Sequence, residues 1–193
     1  MMNKREQKKR SILEVAQKIF SRFGLNKTTM DEIAKASCMG KATLYHYFRD
    51  KEQIFYEVVR EEVKTMQDAI NNAIKDISNP KERLRIYIRV RLEYLNRLEI
   101  TYSALRDQYL EQLTSVKKFR ADFTDYETQI LNSIFREGID KKFFVIMNIS
   151  EVIKIFTLAL RGMELYMITN SDMEINKQEI DLVTDTLLYG ICK

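Results

Sequence analysis

One proline and five glycines in 193 residues are too few breakers for a turn-rich β fold. Sandwiches and barrels need a turn signal roughly every ten residues. A chain with so few interruptions is free to run in long helices, and its wealth of Leu, Ile, Glu, Lys and Arg favours them. Apolar residues make up 45% of the chain, enough to bury a core and to exclude a disordered polymer. The fold class expected is all-α, with about nine helices.

The helical period can be counted along the sequence. Ile12, Leu13, Ala16, Ile19, Phe20 and Phe23 recur every three or four residues, and Gly24 supplies a stop. Thr28 and Thr29 are candidate caps of a second helix, whose inward residues are Met30, Ile33 and Ala34 and whose Asp31 and Glu32 suit the positive end of its dipole. Residues 37–40 are a turn, and 41–48 a third short helix. Asp50 can cap a long fourth helix through Ile54, Phe55, Val58, Val59, Val63, Met66, Ile70, Ile74 and Ile77. Asn79-Pro80 ends it, with Pro80 suited to the first turn of the next. Further helices are expected at 80–98, 101–113, 116–137, 148–169 and 176–191, broken at Gly138 and at Asn170-Ser171-Asp172. Residues 1–51 thus form a small helical domain and 52–193 a larger body. Any signal between them would travel along the fourth helix.

Charge separates the same two parts. The net charge is only +4. Residues 1–51, however, hold 12 Lys and Arg against 5 Asp and Glu, and the rest holds 20 against 23. A basic end on a mildly acidic body points to a polyanionic partner for that end alone. Two cysteines, Cys38 and Cys192, exclude a disulfide scaffold, and no Cys/His spacing makes a zinc site. The single histidine, His46, leaves little for acid–base chemistry, and there is no Gly-rich phosphate loop. Neither enzyme activity, nor a cofactor, nor a metal is expected. No stretch approaches a membrane span and the first residues carry no apolar signal core, so a cytoplasmic protein is expected, with no membrane partner.

Residues 28–48 read TTMDEIAKASCMGKATLYHYF. A helix, a four-residue turn and a second helix, preceded by a packing helix, have the layout of a helix-turn-helix. On the third helix Leu44 and Phe48, four apart, face inward. Ala42, Thr43, Tyr45 and His46 lie off that stripe. A small methyl can meet a thymine methyl, and the other three can hydrogen-bond or stack on bases. Lys41, at the helix start, suits a phosphate or a guanine edge. Thr28 and Thr29 put hydroxyls beside free backbone N–H groups, which suits a phosphate. The cluster Lys4, Arg5, Lys8, Lys9 and Arg10, ahead of the first helix, is placed for more phosphates.

The run Ala34, Met39, Lys41, Thr43, Leu44, Tyr45, His46, Tyr47, Phe48, Lys51 and Glu52 resembles the signature of TetR-family transcriptional regulators, over roughly residues 6–66. By that resemblance Lys41, Ala42, Thr43, Tyr45 and His46 would face the major groove. Thr28, Thr29, Tyr47 and Lys51 would hold phosphates. The resemblance departs at the turn, where Cys38 replaces the usual Gly, and at the third helix's cap, where Gly40 replaces Ser or Thr. Cys38 would then need a positive φ, at a cost on the order of 1 kcal/mol.

A palindromic operator calls for a two-fold dimer. The resemblance implies a four-helix interface from the last two helices. Residues 148–169 carry one apolar stripe at Ile149, Val152, Ile153, Phe156, Leu160, Met163 and Met167 and a second at Ile155, Leu158, Gly162 and Leu165. In the final helix Ile180, Val183, Leu187 and Ile191 form one stripe, with Leu182 and Tyr189 off it. The resemblance also implies an effector that releases DNA, so the expected function is a ligand-responsive repressor. Arg91 falls inside the apolar stripe of its helix. Either it pairs internally with Asp122 or a glutamate, or it anchors an anionic, amphipathic effector. The pocket expected around it is Tyr87, Ile88, Tyr102, Leu105, Phe119, Phe123, Tyr126, Phe156, Leu160 and Met163. Two other readings stay open: a DNA-binding interaction adaptor with no ligand pocket, and a helical lipid-binding protein.

Overall fold

The computed structural model describes residues 3–95, 114–169 and 177–189. Among them are eight helices and no strand: α1 Lys4–Lys27, α2 Met30–Ala36, α3 Lys41–Tyr47, α4 Lys51–Ile74, α5 Pro80–Leu95, α6 Thr114–Asp140, α7 Ile149–Thr169 and α8 Lys177–Tyr189. The helix expected at 101–113 lies outside the described residues. None of these helices is long and apolar enough to cross a membrane. Residues 3–64 with 114–116 form one compact unit, and 65–95, 117–169 and 177–189 a second, so the boundary falls within α4.

In the first unit, α1 starts two turns before the apolar stripe does. The Asn3 side chain accepts the Glu6 N–H at 2.9 Å, and the Glu6 carboxylate accepts the Asn3 N–H at 3.1 Å. This capping box puts the basic cluster on the helix itself rather than ahead of it. At the far end Gly24 takes φ 73° and ψ 169°, a conformation that a side chain would strain. Phe23, expected inward, is half exposed. Ile12, Leu13, Ala16 and Phe20 of α1 are buried, as are Ile33 of α2, Leu44 of α3, Phe48, and Ile54, Phe55 and Val58 of α4. The Phe20 and Phe55 rings meet edge to face at 5.2 Å. Polar contacts also tie α1 to α4: Gln17 donates to Glu62 at 2.9 Å, and the Lys9 ammonium lies 3.3 Å from Glu57.

The second unit is organised on α5. Asn79 caps it through the Lys81 N–H at 2.9 Å, with Pro80 in the first turn. Both α7 and α8 pack on α5. Along α8 two ion pairs run antiparallel, Arg85 to Asp185 at 2.7 Å and Arg89 to Asp181 at 2.8 Å. The fully inward line of α8 is Ile180, Thr184 and Leu188, whereas Val183 and Leu187, expected inward, are half-buried. Thr184 is tolerated there because its hydroxyl donates to the Ile180 carbonyl at 2.7 Å. Gly138, expected to break the helix before it, lies within α6, which continues to Asp140. Its missing side chain serves packing, since a Cβ there would come within 2.0 Å of the Phe144 ring. Phe135 meets both Phe144 and Phe156 edge-on, at 5.9 and 5.2 Å.

Candidate nucleic-acid interface and buried charge cluster

Local hydrogen bonding shapes the segment between α2 and α3. Thr29 caps α2: its hydroxyl oxygen accepts the Glu32 N–H at 3.3 Å, and the Glu32 carboxylate accepts the Thr29 N–H at 2.8 Å and its hydroxyl at 2.9 Å. At the other end Cys38 donates its N–H to the Lys35 carbonyl at 3.1 Å, and Met39 to the Ala34 carbonyl at 3.0 Å. That pair of bonds is a Schellman closure, which requires a left-handed residue between helix and chain exit. Cys38 supplies it at φ 52°, as expected of a cysteine standing where the family has glycine. Gly40 then opens α3 with no side-chain cap.

Leu44 and Phe48 are 0% and 1% exposed, holding α3 against the core. Ala42, Thr43, Tyr45 and His46 are all exposed on its other side, and Tyr47 is half-buried with its ring edge-on to His46 at 5.7 Å. Lys9 stands 5.5 Å over the Phe48 ring, so the basic start of α1, with Lys8 exposed, lies beside the end of α3. Lys41 reaches back to α2, where Asp31 receives it at 2.8 and 3.1 Å.

Three residues expected on phosphates are engaged inside the protein. Thr28 is buried, and its hydroxyl donates to the Gly24 carbonyl at 2.7 Å. Thr29 is committed to Glu32. Lys51 donates to the carbonyls of Leu25 (2.9 Å), Asn26 (3.3 Å) and Thr28 (3.0 Å). An ammonium has three donors, so Lys51 is a pin on the carbonyls that close the end of α1, not a free cation. Nothing in a linear reading of the motif marks that difference.

In the body, Arg91 is wholly buried and does not face an empty site. Its Nε donates to Glu164 of α7 at 2.7 Å, and its Nη1 pairs with Glu127 of α6. Tyr87 donates to the same Glu127 oxygen at 3.0 Å. Arg161 stands 3.8 Å from the second Glu127 oxygen, and the Arg91 guanidinium lies 5.5 Å from the Phe123 ring centre. Of the two internal partners expected from the sequence, Asp122 or a glutamate, the glutamates take the role and Asp122 is exposed. Two arginines against two glutamates leave the cluster neutral, so Arg91 keeps no spare charge for an anion. Among the expected pocket residues, Tyr87, Ile88, Phe156 and Leu160 are core. Phe123, Tyr126 and Met163 are half-buried. Tyr102, Leu105 and the Phe119 side chain lie outside the described residues. Glu127 could have been noticed, since it falls four residues after Phe123 on the apolar stripe of α6.

Comparison with known proteins bears directly on the first unit. Residues 12–58 match the model of bacterial regulatory proteins of the tetR family. The chain is 30% identical over 164 residues to the HTH-type transcriptional regulator QacR of Staphylococcus aureus, covering 80% of this chain and 82% of that one. The chain belongs to the TetR family. A Bacillus subtilis fatty acid metabolism regulator protein is 25% identical, over 72% of this chain and 71% of its own. A solved transcriptional regulator from Cytophaga hutchinsonii has a TM-score of 0.75 at 30% identity, over 94% of this chain and 97% of that one. Some relatives match over a shorter stretch, an HTH-type transcriptional regulator of Bacillus subtilis at 40% identity over 68 residues, 35% of this chain and 36% of its own. TetR-family proteins are DNA-binding regulators rather than enzymes, and the α2–turn–α3 segment is the family's helix-turn-helix.

Proposed function

We propose that this TetR-family chain is a homodimeric repressor. It reads a palindromic operator with α3 and leaves it when a small apolar or amphipathic effector enters the body. The observation that carries the reading is the division of α3: Leu44 and Phe48 are buried, and Ala42, Thr43, Tyr45 and His46 are open to a groove. Ala42 would meet a thymine methyl, and Thr43, Tyr45 and His46 the base edges. Lys8 and Tyr47 would hold phosphates on either side. Residues 1–51 make up the DNA-binding part of this reading and 52–193 the effector and dimer part.

Two helix faces support the dimer. On α7, Ile155 and Leu158 are 59% and 58% exposed and Tyr166 follows on the same face; on α8, Leu182 and Tyr189 are 67% and 89% exposed. Apolar side chains aligned along helices are unlike the scattered ones of an ordinary surface. An operator read by such a two-fold dimer has half-sites about 34–36 Å apart or a multiple of that. The effector would lie against Phe123, Tyr126 and Met163. Relatives that include a fatty acid regulator favour an amphipathic molecule, held by apolar contact and hydrogen bonds rather than by Arg91.

The test is selection of duplexes from a random pool, followed by band-shift titration of His46→Ala and Tyr45→Ala. The selected site should be two-fold symmetric. Each variant should lose about tenfold in affinity for it, given roughly 1–3 kcal/mol per good base contact, while remaining dimeric by light scattering. If no site is selected, or both variants bind like wild type at matched salt, the reading fails.

A further inference from the structure

Lys41 is the first residue of the base-reading helix α3, yet its charge is not free. Both oxygens of Asp31 lie on its ammonium, at 2.8 and 3.1 Å, and the two side chains are 58% and 65% exposed. The pair bridges the first turn of α2 and the first turn of α3. It is too open to be what holds these helices together, since exposed pairs contribute little to stability. That work falls to buried Ile33, Ala34 and Leu44 and to the Schellman closure at Cys38. What the pair does change is where a positive charge can go. A carboxylate facing an ammonium with two oxygens imitates the phosphate that Lys41 would otherwise meet.

We propose that Asp31 withholds Lys41 from the DNA backbone and thereby holds down affinity for DNA of arbitrary sequence. The inference rests on the DNA-binding reading above. Non-operator DNA is bound almost wholly through phosphates, so a cation kept on Asp31 is one contact fewer on every wrong site. At an operator the base contacts of Thr43, Tyr45 and His46 remain. Asp31 is then a specificity-determining residue that touches no base. The hydrogen bond from Lys41 to Asp31, with the carboxylate's charge, also holds the ammonium above its ordinary pKa, so Lys41 stays charged while paired.

The experiment measures binding of the full-length protein to a fluorescein-labelled random-sequence duplex of ~30 base pairs. It is done across a salt series for wild type, Asp31→Asn, Lys41→Gln and the double variant. Each released phosphate contact contributes about 0.9 to the slope of log K against log salt. Asp31→Asn should steepen the slope by about 0.9 and tighten binding about two- to fivefold near 0.1 M salt. Lys41→Gln and the double variant should keep the wild-type slope, because Lys41 makes no phosphate contact while Asp31 is present. A slope that falls by about 0.9 in Lys41→Gln would mean that Lys41 already holds a phosphate, and would overturn the inference. So would an unchanged slope in Asp31→Asn. Wild type that binds neither this duplex nor a selected operator overturns the DNA-binding reading and this inference together; binding by wild type with either slope failure overturns this inference alone.

Discussion

The two units handle charge in opposite ways. In the helix-turn-helix unit the ionic contacts are exposed or half-exposed and mostly short in sequence, as with Arg10–Glu14 and Lys41–Asp31. In the body Arg91, Glu127 and Tyr87 are sealed from water and join residues 36 and 73 positions apart in the chain. An exposed pair can be removed at little cost to the fold, because water solvates what is left. A buried one cannot, because removing either member strands a charge in a medium that does not solvate it. One unit keeps its charges at the surface, the other uses them to hold its helices in one arrangement.

The largest expected effect tests that contrast. Arg91→Ala should destabilise the protein by about 3–5 kcal/mol, as breaking a buried ion pair does, read as a lowered urea midpoint. Arg10→Ala, on the exposed side, should change it by less than about 1 kcal/mol. Equal small effects would mean the cluster is hydrated and the contrast false. Alkaline titration comes next. Burial pushes the Tyr87 hydroxyl up to about 12, against the pull of Arg91; burial and the Asp68 charge likewise take Tyr126 to about 12. Unfolded tyrosine titrates near 10.0. The folded state therefore holds these protons longer. Their contribution to stability is complete below pH 10 and lost as pH rises from 10 through 12. For Tyr87 that loss is on the order of 2 kcal/mol. Tyrosinate absorbance should show a late-titrating class among the ten tyrosines, and Tyr87→Phe should flatten the fall in stability over that window. A single titration near 10 for all of them would contradict it. The smallest effect belongs to the turn: Cys38→Gly should stabilise the first unit by about 0.5–1 kcal/mol by relieving the left-handed strain. A lower melting temperature would show that the cysteine side chain does something for the turn.

Legibility in the sequence follows the same divide. Leu44 and Phe48 inward, Ala42, Tyr45 and His46 outward, and a positive φ at Cys38 all follow from period and turn chemistry within a few residues. So did the start of α1, which was there to be read: Asn3 with Glu6 three residues later is a capping signature, though the apolar stripe at Ile12 drew the boundary later. Lys51 was not legible, because its carbonyl partners are set by the kink at Gly24 near the end of α1, some 25 residues earlier in the chain. Glu164 was not legible either. Its partner lies on a helix whose placement only packing decides. Gly138 reads as a helix stop by propensity and is instead a space left for Phe144.

The two rungs between α5 and α8, Arg85 with Asp185 and Arg89 with Asp181, have a further consequence. Both helices carry these charges four residues apart, so sliding one past the other by a single turn would bring only one of the two arginines onto one of the two aspartates. Only one setting engages both rungs. The terminal helix is thus indexed along its track, and the outward line from Leu182 to Tyr189 is held at one height against α5.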